Sequence, residues 1–158
     1  MAEAASHEFR CKLRWTGGAS GTAFDYGSFS RDLALEVQGK APITASAAPG
    51  YKGDLSKHNP EDLLMASLAA CHALTYLAIC SLSKVRVLAY EDEISGTLEK
   101  SGEVMKFTHA TLRPRVTIAS VDDESRALSL HEKAHQQCFI MNSVNFPVAV
   151  EARIVVAG

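Results

Sequence analysis

The chain has 158 residues, 47% of them apolar and 22% charged, which supports one globular domain with its own core and excludes a disordered, collagenous or coiled-coil chain. Sixteen Lys and Arg stand against eighteen Asp and Glu, so a net charge of −2 exerts no long-range pull toward nucleic acid or an anionic membrane. Four scattered cysteines are too few for a secreted disulfide scaffold.

Met1 to Leu13 carries charged residues and no apolar stretch, so no secretory signal is expected, and reduced thiols in a cytoplasmic protein are. Phe9, Cys11, Leu13 and Trp15 alternate with Glu8, Arg10, Lys12 and Arg14, which predicts a half-buried strand with Cys11 in the core. Gly17-Gly18 and Gly21 make the turn, and a second strand is expected around Thr22–Ser28. Leu33, Leu35 and Val37 define the inward face of a third strand, and Arg31 shares their parity. The stretch 41–58, with Pro42, Pro49, Gly50 and Gly53, reads as a long loop.

Asn59-Pro60-Glu61-Asp62 is a helix start: Asn caps, Pro fits the first turn, and two carboxylates face the positive end of the helix. The helix should run to about Ser83. Leu63 to Leu82 contains no Lys, Arg, Asp or Glu, which reaches membrane-span length. Ser67, His72, Thr75, Tyr76 and Ser81 interrupt it, so a buried core helix is the expectation. A helix apolar on all sides needs cover on all sides, which one small domain hardly supplies, so a partner subunit is expected. His72 and Cys80 are read as packed core residues.

A strand from Val85 to about Leu98, a turn at Ser101-Gly102 and a return strand from Val104 to Ile118 follow, with Pro114 as a defect. Ser120-Val121-Asp122-Asp123 resembles a capping box, opening a second helix to about Phe139. Val148, Val150, Ala152, Ile154 and Val156 line one face of a last strand. The order is that of an α+β domain over residues 1–158: mostly antiparallel sheet, a long buried central helix and a second helix.

Cys71 lies in mid-helix and Cys138 where the second helix should end. Each can be a small buried hydrophobe or a reactive thiol. An inward Arg31 needs an anion, either a carboxylate alone or a carboxylate and a thiolate. Burial raises a thiol pKa and a nearby cation lowers it, so a guanidinium is the natural activator of Cys71, and Glu61 the residue to hold it. Glu61 and Cys71 are ten residues apart, about 15 Å along a helix. A site shared between two antiparallel helices of a dimer would close that gap. His131, His135 and Cys138 share a helical face, and Cys71 or His72 could complete a tetrahedral metal set.

Asn59-Pro60-Glu61-Asp62-Leu63-Leu64 with Ser67-Leu68-Ala69-Ala70-Cys71-His72 resembles the first-cysteine helix of the OsmC/Ohr family, the osmotically inducible and organic hydroperoxide resistance proteins. Ala134-His135-Gln136-Gln137-Cys138, followed by Asn142-Ser143, is similar to that family's second-cysteine segment, and Trp15-Thr16-Gly17 and Phe29-Ser30-Arg31-Asp32 to its N-terminal sheet. The resemblance implies an intertwined homodimer that reduces organic hydroperoxides with no metal or other cofactor, and a dithiol reductant, such as a lipoylated protein. It makes Cys71 the peroxidatic cysteine, Cys138 the resolving one, and Arg31 and Glu61 the activating pair. Where better-known branches have Pro after the second cysteine, this chain has Phe139, which keeps open a second reading as a non-catalytic binding dimer.

Overall fold

The computed structural model describes residues 6–20 and 24–158 and divides into two compact units, 1–63 and 64–158. In the first unit β1 (Lys12–Trp15), β2 (Leu33–Glu36) and β3 (Ile43–Ala45) form an antiparallel sheet in the order β1-β2-β3. Three expectations are corrected here. All four residues of β1 are exposed, and so are Phe9 and Cys11. The Thr22–Ser28 strand falls partly outside the described residues, and from Asp25 to Ser28 the chain is a turn. The Asp25 carboxylate accepts from the Gly27 and Ser28 amides and so closes it. The 41–58 stretch is not structureless, since it contains β3 and a short 3₁₀ turn, Pro49–Tyr51.

The helix α1 (Pro60–Leu82) begins as expected. The Asp62 amide donates to Asn59 Oδ1 (2.8 Å), and the Asn59 amide to Asp62 Oδ2 (3.3 Å), a reciprocal cap. It ends on Lys84 at φ 62°, with the Val85 amide donating back to the Cys80 carbonyl (2.9 Å).

In the second unit the two strands expected between Val85 and Ile118 are each broken in two. They become β4 (Val87–Glu91), β5 (Ile94–Ser101), β6 (Val104–Leu112) and β7 (Arg115–Ile118). The last strand breaks likewise into β8 (Val148–Val150) and β9 (Arg153–Val156). The breaks align. The result is a three-stranded ribbon divided at one level into two sheets, β5-β6-β8 and β4-β7-β9. Pro114 supplies no amide at the break. The Arg113 amide donates to both Asp92 Oδ1 (2.8 Å) and the Glu93 carbonyl (3.1 Å), and the Arg153 amide to the Pro114 carbonyl (2.8 Å). The β4–β7 and β5–β6 pairs are antiparallel, and β8 and β9 join parallel to β6 and β7. A strand that returns through a helix arrives parallel. That helix is α2 (Glu124–Gln137).

Each sheet has its own core cluster, and α1 contributes to both. Leu68 packs with Ala110, Leu112, Cys138 and Met141. Tyr76, Ile79 and Cys80 pack with Val85, Val116, Ile118, Ala127 and Ala134. Gly96 in β5 permits the close approach, for a Cβ there would lie 2.6 Å from Met65 Sδ. The buried residues of α1 (Leu68, His72, Tyr76, Ile79 and Cys80) form one stripe. The opposite face is not covered within the chain: Leu74 is 69% and Leu82 85% exposed. Within the described residues of this chain α1 is thus buried on one side.

Leu68 has no accessible surface and touches the same cluster as Cys138. Leu68→Ala is expected to cost about 2–5 kcal/mol through lost burial and a cavity, read as a lower denaturant midpoint at unchanged slope.

Candidate functional site

Cys138 is the C-cap of α2, where the backbone leaves the helix at φ −72° and ψ 114°. Asn142 holds that exit, its Nδ2 donating to the carbonyls of Gln136 (3.0 Å) and Cys138 (2.9 Å). Asn142 thereby satisfies helix-end carbonyls that would otherwise be orphaned. The Cys138 side chain is fully buried in the apolar cluster, and Cys71, half-buried on α1, packs against the same cluster. Both thiols are free.

The two cysteines singled out from sequence are therefore brought together. Burial pushes the Cys138 thiol up to about 11, and the neighbouring Cys71 thiol adds to the rise. The backbone amides of Met141 and Ile140 oppose it.

Arg31 and Glu61 belong to the first unit. Arg31 is half-buried and lines a cavity of about 230 Å³ with Trp15, Phe29, Leu33, Ser46, Ala47 and Pro60. Its guanidinium donates to the carbonyls of Phe29 (2.5 Å) and Tyr26 (2.6 Å), and its carbon sits 3.7 Å from the Phe29 ring centroid. Among the described residues it makes no ion pair. The adjacent carboxylate, Asp32, is taken by Lys57 at 2.8 Å. Glu61, in the first turn of α1, has a buried carboxylate oxygen, Oε2, without a hydrogen-bond partner. A buried carboxylate oxygen left alone is costly, so this atom calls for a donor.

The tetrahedral metal set expected from His131, His135 and Cys138 with Cys71 or His72 is not formed. Among the described residues no three His, Cys, Asp or Glu side chains stand together to hold an ion. Cys138 lies in the apolar cluster, and His131 is tied to His72, His131 Nδ1 and His72 Nε2 lying 3.1 Å apart. Both rings are buried, and the His131 ring stacks on Tyr76 at 3.8 Å. Burial lowers His72 to about 4 and His131 to about 3, so both are neutral near pH 7. Sequence reading found His72 in the core but not its partner 59 residues on. The string His131-Glu132-Lys133-Ala134-His135 has the H-E-x-x-H spacing.

The fold and these residues define an α+β protein with two unbridged thiols in one apolar cluster. The sequence pattern of the OsmC-like proteins matches residues 52–153, and the chain belongs to that family. It is similar to the OsmC-like protein of unknown function VCA0330 from Vibrio cholerae, with a TM-score of 0.86 and 29% identity over 94% of this chain and 100% of that one. It is 24% identical to the uncharacterized protein YmaD of Bacillus subtilis, across 98% of this chain and 99% of that protein. The organic hydroperoxide resistance protein OsmC from Legionella pneumophila shares the fold, with a TM-score of 0.67 and 18% identity over 95% of this chain and 98% of that one.

Cys138 is held protonated at neutral pH. Its alkylation by iodoacetamide, followed by peptide mass spectrometry, is expected to accelerate only well above pH 9. A rate already saturated at pH 7 would contradict the burial effect.

Proposed function

We propose that this protein is a thiol-dependent peroxidase that reduces organic hydroperoxides to alcohols. The observation that carries the reading is the packing of Cys71 and Cys138 against one apolar cluster, with the two thiols influencing each other. The Cys71 thiolate attacks the hydroperoxide oxygen distal to the organic group. The O–O bond breaks, the alkoxide leaves and takes a proton, and Cys71 becomes a sulfenic acid. The Cys138 sulfur displaces water from that sulfenic acid and closes a Cys71–Cys138 disulfide. A dithiol reductant, such as a lipoylated protein, then gives up two electrons and two protons by exchange. Apolar neighbours such as Leu68 and Ile140 favour an alkyl group at about 0.8 kcal/mol per buried methylene.

Arg31 and Glu61 are the proposed activating pair. The unpartnered Glu61 oxygen supports this, since it would accept from a guanidinium that also faces the Cys71 thiolate. The uncovered face of α1 supports a homodimer. With Gln136, Gln137, Phe139 and Asn142 it borders a cavity of about 610 Å³, and Leu74, Leu82 and Phe139 are strongly exposed. A second copy is the natural cover, and a site shared across that contact would place groups from both chains at each thiol. Within the cytoplasm such thiols stay reduced between turnovers.

A second reading is a non-catalytic binding dimer. The elevated Cys138 pKa favours it, because a protonated thiol is a slow nucleophile.

Counting free thiols after one equivalent of cumene hydroperoxide separates the two readings. The enzyme loses two thiols per chain. Cys71→Ser loses neither, and Cys138→Ser completes one turnover and then stalls or overoxidises. Arg31→Ala and Glu61→Gln slow the first loss by about 100-fold. Retention of both thiols in the unmodified protein favours the binding module.

Leu74→Glu puts a charge on the exposed face of α1. Analytical ultracentrifugation is expected to show a dimer for the parent and a monomer for this variant.

A further inference from the structure

The cavity beside α2 has no place in the thiol chemistry. It measures about 520 Å³ and is lined by Leu128, His131, Glu132 and His135 from the helix and by residues 148–152 from β8 and the turn after it. No Lys or Arg lines it. Two imidazoles at i and i+4 share one helical face, one turn apart, a spacing that lets both reach one metal ion.

His131 is 4% exposed and its Nε2 is buried without a hydrogen-bond partner. Its Nδ1 lies against His72 Nε2 at 3.1 Å, and Tyr76 stacks on its ring. When His131 donates the shared proton to His72, the lone pair is left on His131 Nε2. Metal-ligating histidines are oriented in this way, with the second ring nitrogen donating to a fixed acceptor. The ring is thus already held in place.

His135 is half-buried, and the Glu151 carboxylate is exposed and pairs with Arg113 (3.1 Å). Both can move toward an ion at low cost. Glu132 is exposed and accepts from Gln136 Nε2 (2.9 Å).

We propose that His131 and His135 chelate a divalent transition-metal ion in this cavity. Water fills the remaining positions, and Glu151 serves as an exchangeable third ligand. Two protein donors suffice, so the absence of a three-residue set among the described residues does not bear against it. Nitrogen donors select the later transition metals, so Ni²⁺ and Zn²⁺ bind, Mn²⁺ binds more weakly, and Mg²⁺ does not compete.

The test is isothermal titration of the full reduced chain with Zn²⁺ and Ni²⁺, with Co²⁺ as a spectroscopic probe. One ion per chain is expected. His135→Ala, at a half-buried position that leaves the core intact, should weaken binding at least tenfold, and Glu151→Gln by less. Cys71→Ser and Cys138→Ser should leave the affinity unchanged, and Co²⁺ should give no thiolate charge-transfer band. Unaltered affinity in His135→Ala, loss of binding in either cysteine variant, a thiolate band, or no binding at all would each overturn the proposal. The thiol count under cumene hydroperoxide is a separate readout, so this site and the peroxidase reading fail or stand independently.

Discussion

Twenty consecutive residues of α1 carry no charge, and the structure is organised around covering them. The helix is long and apolar enough to span a bilayer by length and composition alone. One stripe of it is nonetheless packed on protein: Leu68 on the cluster of one sheet, Tyr76, Ile79 and Cys80 on that of the other. Two polar atoms along that stripe find partners, while the buried His72 Nδ1 has none among the described residues. Tyr76 donates to the Ala127 carbonyl at 3.1 Å, and His72 meets His131. Apolar burial at about 25 cal/mol per Å² drives this packing, and the hydrogen bonds of Tyr76 and of His72 Nε2 reduce the cost of burying polar groups in it.

The break in the ribbon lets one helix serve two cores. β6 and β7 would be one strand but for Pro114, and the chain shifts from one sheet to the other there. Asp92 completes the turn by accepting from the Arg113 amide. Cys138 and Cys71 belong to the cluster on one side of the break, and the His72–His131 pair packs with Tyr76 from the other cluster. Two chemically distinct environments, a thiol cluster and a buried imidazole pair, thus arise along one helix in a small chain.

Burial and reactivity pull against each other at Cys138. The apolar surroundings that would welcome an alkyl hydroperoxide also raise the thiol pKa. Within the first unit Arg31 is satisfied by two backbone carbonyls and the Phe29 ring, with Asp32 claimed by Lys57. An Arg held in that way keeps its orientation. Glu61 Oε2 is a buried acceptor without a hydrogen-bond partner among the described residues.

Local rules sufficed for much of this. Asn59 and Asp62 cap α1 as their identities require, Gly102 turns the β5–β6 hairpin at φ 65°, and Cys138 ends α2. These depend on contacts a few residues apart, and side-chain type decides them. Which face of a strand is covered depends on what lies against it. Phe9, Cys11, Leu13 and Trp15 alternate like a buried face and yet are exposed, while in β2 the buried residue is Ala34 rather than its larger neighbours. The aligned breaks in the ribbon, the meeting of Cys71 with Cys138 and the pairing of His72 with His131 join residues distant in the chain. Periodicity carries no information about such pairs, and only packing in three dimensions decided them.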